Sequence, residues 1–183
     1  MEIFGKRIKL RAIEKRDLTF LKDLFNHPEI EATTVGTNLP VSVLQQERWY
    51  ENSMSNQQEW RFVIEKTGEE KAVGLYTVYG IDRQNSVISV SYKISPEEQR
   101  KGYATDAQRA FFRYAFRELN IYRISEEVLD YNTASQRVAE KSGMKLEGRL
   151  REAVYKHGKR RDLLLYGVLK SEYMTGLEET DEI

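Results

Sequence analysis

Residues Ser91 to Ala107 read SYKISPEEQRKGYATDA, and this run limits the possible folds more than any other part of the chain. A strand pattern from Ser86 to Ile94 meets Pro96, which cannot donate to a sheet ladder and so ends the strand. A short polar connection then opens a helix from Ala104 to Leu119, with Ala107, Ala110, Phe111, Tyr114, Ala115 and Phe116 at helical spacing. A strand that feeds a helix this way presents backbone amides with no intrahelical partner, together with the positive end of the helix dipole. Gly102 permits positive φ and close approach, Ala104 leaves the next amide uncovered, and Arg100 and Lys101 add positive charge. That is an anion-binding loop. Taken alone, the same residues equally describe a plain strand-to-helix turn with solvated basic side chains.

Around this unit the patterning alternates between strand and helix. Arg7 to Ile13 alternates as a strand, and Asp17 is placed to cap a helix with Leu18, Leu21, Leu24 and Phe25 as its apolar stripe. Asn26 to Pro40 shows no period and reads as a loop or short helical turns. Ser42 with Gln45 forms a capping-box pattern for a second helix running to about Met54. Trp60 to Glu65, Lys71 to Ile81 and Ser86 to Ile94 read as strands joined by polar turns. After the long helix come a strand from Ile121 to Asp130, a helix from Asn132 to Ser142-Gly143, and two strands, Met144 to Lys156 and Lys159 to Lys170, turned by His157-Gly158. The order predicts a single mixed α/β domain over 1–173, with an acidic, frayed tail over 174–183.

Composition excludes several classes. With 183 residues, 40 % hydrophobic and 32 % charged, the chain suits one globular domain. A formal net charge of zero gives no bulk attraction to nucleic acid. No apolar run approaches the roughly 20 residues of a membrane span, and the N-terminus lacks a signal-peptide pattern, so a cytoplasmic location without membrane contact is expected. The absence of cysteine removes disulfides, thiolate metal sites and a cysteine nucleophile, and no His/Asp/Glu pattern suggests a metal.

Gln99-Arg100-Lys101-Gly102-Tyr103-Ala104 resembles the Q/R-x-x-G-x-G/A signature of the GNAT acetyltransferases, in the form used by the ribosomal-protein and polyamine acetyltransferase branches. Other motifs follow in family order: Ile94-Ser95-Pro96 upstream, Tyr114-Ala115-Phe116, Leu119-Asn120-Ile121, Asn132-Thr133-Ala134-Ser135, Glu140-Lys141-Ser142-Gly143-Met144, then Glu147-Gly148-Arg149-Leu150-Arg151, Gly158-Lys159 and Asp162. The likeness spans about Arg7 to Tyr173 and is most specific over 88–166. It implies a central mixed, mostly antiparallel sheet of about seven strands splayed in the middle, flanked by about four helices. It also implies acetyl-CoA as co-substrate. The backbone of Tyr92, Lys93 and Ile94 would meet the pantetheine arm, residues 99–105 (Gln99, Arg100, Lys101, Gly102, Tyr103, Ala104, Thr105) would cradle the pyrophosphate, and Asn132 would contact the pantetheine or simply cap its helix. One amide of the strand would bind the thioester oxygen and the oxyanion that forms there.

Relatives place a tyrosine acid just before the E-K pair, a position that reads Ala139 here. Some instead use the serine of N-x-x-S, which is Ser135; that serine is also a plausible bonding partner for the helix-start backbone. The glutamate often found in the strand before the loop reads Ser89. Glu126 and Glu127 are weak candidates for a base and face opposite ways, which leaves deprotonation through water as the simpler route. His27 and His157 read as surface residues.

The resemblance puts acceptor choice in the first two helices, their loop and the closing hairpin. Glu29 and Glu31 would attract a polyamine, whereas Lys156, Lys159, Arg160 and Arg161 favour an acidic or peptide acceptor or the coenzyme's own phosphate, unless they are simply solvated at the hairpin tip; Trp49, Tyr50, Tyr76 and Tyr79 are candidate cleft aromatics or core. The expected activity is acetyl transfer to a primary amine, of a peptide or protein N-terminus first and of a polyamine as the alternative. A homodimer is compatible with the family. The rival from another class is a non-catalytic acetyl-CoA-sensing module; a nucleic-acid binder using the basic hairpin ranks last.

Overall fold

The computed structural model describes residues 1–36, 39–53 and 58–178. Among the described residues eight strands form one sheet: β1 (Ile3–Phe4), β2 (Ile8–Arg11), β3 (Trp60–Lys66), β4 (Ala72–Asp82), β5 (Val87–Ile94), β6 (Arg123–Leu129), β7 (Lys145–Lys156) and β8 (Lys159–Leu169). Their spatial order is β1-β2-β3-β4-β5-β6-β8-β7, and every neighbouring pair is antiparallel except β5 with β6. Six helices are described: α1 (Leu18–Asn26), α2 (Pro28–Thr33), α3 (Val43–Ser53), α4 (Tyr103–Arg117), α5 (Thr133–Lys141) and α6 (Lys170–Glu178).

The mixed sheet and its order match the expected class, with one strand and two helices beyond the reading. The two residues of β1 and the six of α2 are too short to leave a periodic trace. The expected tail overlaps α6 as far as Glu178, and its remainder, 179–183, lies outside the described residues. Met54, the expected end of the second helix, and residues 37–38 of the expected loop also lie outside them.

Period-two alternation on the central strands divides two cores. Ile8, Leu10, Ile64, Tyr76, Val78, Ile88, Val90 and Ile124 meet Phe111, Phe112 and Phe116 of α4 on one face. Each phenylalanine is fully buried, worth about 1.5–3 kcal/mol apiece. On the other face Leu75 packs with Leu21 and Leu24 of α1 and Ile30 of α2, flanked by Phe25 and Trp49. Tyr76 thus belongs to the α4 core and cannot line an acceptor cleft, because its neighbour Leu75 takes the opposite face. Gly74 is required where β4 meets the end of β5, since a Cβ there would overlap the Lys93 carbonyl oxygen.

At α3 the capping box forms as expected: Gln45 N donates to Ser42 Oγ at 3.2 Å, and Ser42 N donates to Gln45 Oε1 at 2.9 Å. Asp17 precedes α1 but makes no side-chain cap bond. Its carboxylate instead accepts from Arg11 Nη1 and Nη2 at 2.7 and 2.8 Å and from Glu14 N at 2.8 Å. A buried guanidinium is the stronger donor, so the ion pair wins over the cap.

Candidate active site

Beyond Ser89 and Ser125, β5 and β6 cease to pair, while β4 and β8 continue along their outer edges. The splay leaves two strand edges, 90–94 and 126–129, facing one another with unpaired backbone groups. Such a slot accepts an extended chain as an added strand. Both strands then run into helix N-termini, α4 after Gly102 and α5 after Asn132.

The loop before α4 is held from three sides. Gln99 Nε2 donates to Ile94 O at 3.1 Å, Arg7 Nη1 donates to Lys101 O at 2.8 Å, and the Asp106 carboxylate accepts from Lys6 N and Arg7 N at 2.9 and 2.7 Å. These anchors support left-handed backbone at both Arg100 (φ 61) and Gly102 (φ 83), which costs a non-glycine residue about 1 kcal/mol or more. The first bond of the helix runs from Asp106 N to Gly102 O at 3.1 Å, so the amides of Tyr103, Ala104 and Thr105 lack intrahelical acceptors. The Tyr103 ring itself turns into the core beneath the Arg7 guanidinium, 4.8 Å away.

One basic side chain departs from expectation. Lys101 Nζ donates to Glu98 Oε2 at 2.9 Å, and Lys71 Nζ donates to Glu98 Oε1 at 2.6 Å. Lys71, then Lys101, hold the Glu98 carboxyl down at about 2 against the effect of its burial. Lys101 is therefore engaged within the protein, and the exposed Arg100 carries the loop's available charge. Gly102→Val leaves room for its side chain, the nearest atom being Arg7 Nη1 at 4.0 Å, but places a β-branched residue at positive φ. Acetyl-CoA binding measured by calorimetry is expected to weaken at least tenfold, about 1.4 kcal/mol, in a protein that remains folded; unchanged affinity would remove this loop from the site.

At the start of α5, Asn132 is the N-cap: its Oδ1 accepts from Ser135 N at 3.1 Å, and its Nδ2 donates to Thr33 O at 3.3 Å. The structural reading of Asn132 is thus realised, with both ends of the amide occupied. Ser135 lies half-buried and its hydroxyl donates to Glu126 Oε1 at 3.1 Å, while the Tyr92 hydroxyl is 2.9 Å from Ser135 Oγ. Gln108 of α4 donates from Nε2 to Glu126 Oε2 at 2.6 Å. Burial pushes the Glu126 carboxyl up to about 7, although the bonds from Gln108 and Ser135 act to lower it. Glu126 and Glu127 do face oppositely: Glu126 is buried under α4 and α5, and Glu127 is exposed. Ala139 is fully buried in the core and presents no polar group to the slot.

The sequence assigns Tyr92 a backbone role alone, whereas the structure adds its side chain to the site. Alternation places it with Ile88 and Val90 on the core face, where a phenol needs a partner, and that signal was available. Gln108 gave no such signal, being one polar residue in an amphipathic helix. Lys93 extends from the opposite face of β5, with Nζ 5.5 Å from the centre of the Phe25 ring. Lys156 is not a solvated hairpin residue. It is buried, donating to Glu31 of α2 and, at 2.7 Å, to Gly36 O. His27 caps α2 by accepting from Glu29 N at 3.3 Å. Trp49 packs edge-on to Phe25, and Tyr50 lines a groove between α1 and α3.

Residues 7–145 match the family described as the acetyltransferase (GNAT) domain. This chain is a GNAT acetyltransferase. The spermidine N-acetyltransferase of Vibrio cholerae, solved with CoA and spermine, superposes with a TM-score of 0.86 at 27 % identity, over 93 % of this chain and 99 % of that one. The spermidine N(1)-acetyltransferase of Escherichia coli K12 is 28 % identical over 91 % of this chain and 88 % of its own length. YdaF of Bacillus subtilis, named as a candidate ribosomal N-acetyltransferase, is 33 % identical over 55 % of each chain. The GNAT enzyme takes acetyl-CoA as co-substrate and an amine as acceptor. Its unpaired strand edges and the amides at α4 suit the pantetheine arm and the diphosphate of that co-substrate. Among the described residues no helix is long and apolar enough to cross a membrane, and no group of three or more His, Asp or Glu is placed to hold a metal ion.

Proposed function

We propose that this GNAT enzyme acetylates the free amine of a peptide or protein N-terminus, in the cytoplasm, with Ser135 as the acid that protonates the leaving sulfur. Residues 99–105 would hold the diphosphate, and the backbone of 92–94 the pantetheine arm. The acceptor amine arrives protonated, with a pKa up to about 10.4 for a lysine-like amine, and the thiol of the leaving coenzyme has a pKa near 8.5. Neither proton transfer needs a strong catalyst at neutral pH. Water can take the ammonium proton, and the exposed Glu127 is the one carboxylate of the pair that could assist it. The amine nitrogen then bonds the acetyl carbon as the carbon–sulfur bond breaks, with an amide of β5 stabilising the oxyanion.

The observation that carries the acceptor reading is Lys93. It sits half-buried on the α1–α2 face, with no carboxylate partner among the described residues, and burial followed by the charge of Lys156 lowers its pKa. Lys156 is neutralised by Glu31, which leaves Lys93 as the side chain that would oppose a polyamine when protonated and donate to a carbonyl or carboxylate of a peptide. The polyamine reading draws on the Vibrio cholerae enzyme, whose structure holds spermine, and would rely on the exposed Glu29.

The two readings separate kinetically. A peptide with a free N-terminus is expected to give a higher kcat/KM than spermidine, with the gap narrowing as salt screens the lysines. Lys93→Met should narrow it further by improving spermidine. Efficient spermidine acetylation by the parent at low salt would overturn the preference.

A further inference from the structure

Glu126 occupies the inner end of a hydrogen-bonded row that starts at Tyr92, passes through Ser135 and ends against Gln108. A serine hydroxyl has one proton and two lone pairs. While Glu126 is a carboxylate, Ser135 must point its proton at Oε1 and accept from Tyr92, so it has none to offer toward the slot. Once Glu126 carries a proton on Oε1, that proton is donated to Ser135. Ser135 Oγ then accepts from both Glu126 and Tyr92, and its own O–H is released toward the slot between β5 and β6.

We infer that Glu126 is the proton reservoir for Ser135, so that a neutral Glu126, a serine and a phenolic donor together replace the tyrosine acid whose place is taken by Ala139. The inference rests on Ser135 being the acid. In the transfer step the nitrogen–carbon bond forms and the carbon–sulfur bond breaks, its electron pair going to sulfur. The Ser135 proton passes to sulfur, the Glu126 proton passes to Ser135, and Glu126 is left as a carboxylate. Solvent receives two protons from the nitrogen, one from the acceptor ammonium before attack and one as the amide forms, and returns one of them to Glu126 before the next turnover.

The surroundings suit a carboxyl that changes state near neutrality. Facing Glu126 are Gln108 from α4, Ser135 from α5, Tyr92 from β5, Tyr76 from β4 and Tyr166 from β8, while Tyr79 lies on the opposite face of β4, nearer Glu127. None is a cation that would fix the charge. Burial is the dominant influence and holds the carboxyl at about 7. Tyr92, raised by burial far above its ordinary range and further by Glu126, stays a donor throughout. Gln108 supplies the competing arrangement: its Oε1 is buried without a partner, and a rotated amide could take the Glu126 proton instead. In that case Ser135 would gain nothing.

Glu126→Gln keeps the shape and can still donate to Ser135, but cannot give up a proton. With the best acceptor found for the parent, kcat is expected to fall at least tenfold while KM for acetyl-CoA stays within twofold. The parent's loss of kcat on the alkaline side should disappear from the variant's pH profile. Unchanged kcat and an unchanged alkaline limb would overturn the relay. Ser135→Ala separates this from the acid assignment: loss in Ser135→Ala without loss in Glu126→Gln keeps the serine acid and sinks the reservoir, whereas loss in neither sinks both. Should Glu126→Gln fail to fold, carbon-13 carboxyl titration of Glu126 in the parent with CoA bound decides the point. A midpoint between about 6 and 8 is expected from its buried position, and one below 5 would overturn the proposal.

Discussion

Arg11→Met is expected to destabilise the protein by about 3–5 kcal/mol, the cost of leaving a buried ion pair with one partner. Arg11 is 7 % exposed, and its guanidinium is shared between Asp17, Glu65 (Nε to Oε2, 2.6 Å) and the carbonyl of Ala12 (3.0 Å). Asp17 and Glu65 are 3 % and 0 % exposed, so neither can recover its hydration when the guanidinium is removed. Burial raises the pKa of both carboxyls, yet the bonds from Arg11 leave both below their ordinary values. Their stabilisation is therefore present above pH 4.5 and is lost as pH falls through the depressed folded values; without Arg11 it should already fail at higher pH. Lys9 at 3.2 Å and Arg16 at 3.8 Å still face Glu65 and soften the loss there, whereas Asp17 keeps only a backbone donor. Urea denaturation of parent and variant at pH 7 gives the difference, and a change below 1 kcal/mol would show that the network holds nothing together. Replacing all three groups by apolar residues should restore most of the stability, because the desolvation cost disappears with the charges. The network joins β2 and β3 to the turn before α1, so its loss would also loosen the face on which Lys93 lies.

What could be read from the chain followed the length of its periodic signals. The eight-residue alternation of β5, the Pro96 stop and the long stripe of α4 made the loop before α4 and its neighbours legible, since each rests on local backbone chemistry. The capping box at Ser42 and Gln45 was legible for the same reason. Pairings that depend on distant segments were not. Glu98 lies only three residues from Lys101, but its burial and its second partner Lys71 come from 27 positions away, and Lys156 reads as solvated until α2 is folded against it, 125 positions away in sequence for the bond to Glu31. Asp17 fits both a cap and an ion pair, and Arg11 decides between them. Glu126 and Glu127 could be assigned to opposite faces by alternation, but which face is sealed depends on Gln108 and α5. The proposed proton relay turns on that difference.

The same burial makes a prediction about stability that is independent of turnover. Glu126 goes from an ordinary 4.5 to about 7 on folding, through desolvation first. Because the folded state holds the proton that the unfolded chain has released, stability declines as pH rises between those values. The contribution is fully present below pH 4.5 and gone above pH 7. Its size is about 3 kcal/mol for a displacement of this extent in a group that is 3 % exposed. Glutamine is neutral at every pH, and its amide can donate to Ser135 while its carbonyl accepts from Gln108. Glu126→Gln should therefore be more stable than the parent at pH 8 by about 2–3 kcal/mol and nearly equal to it at pH 4.5. The difference between the two proteins is the quantity to follow, since it cancels the carboxylates and histidines they share. Denaturation midpoints taken in steps from pH 4.5 to 8 should diverge steadily between the unfolded value of 4.5 and the folded value of about 7, then run parallel. Parallel curves would mean that Glu126 is hydrated enough to ionise normally, and no carboxyl acid would then stand behind Ser135. A variant that gains stability while losing turnover would show why a buried glutamate is kept where an amide is the better structural choice: the protein holds a proton there at a cost to its own folding.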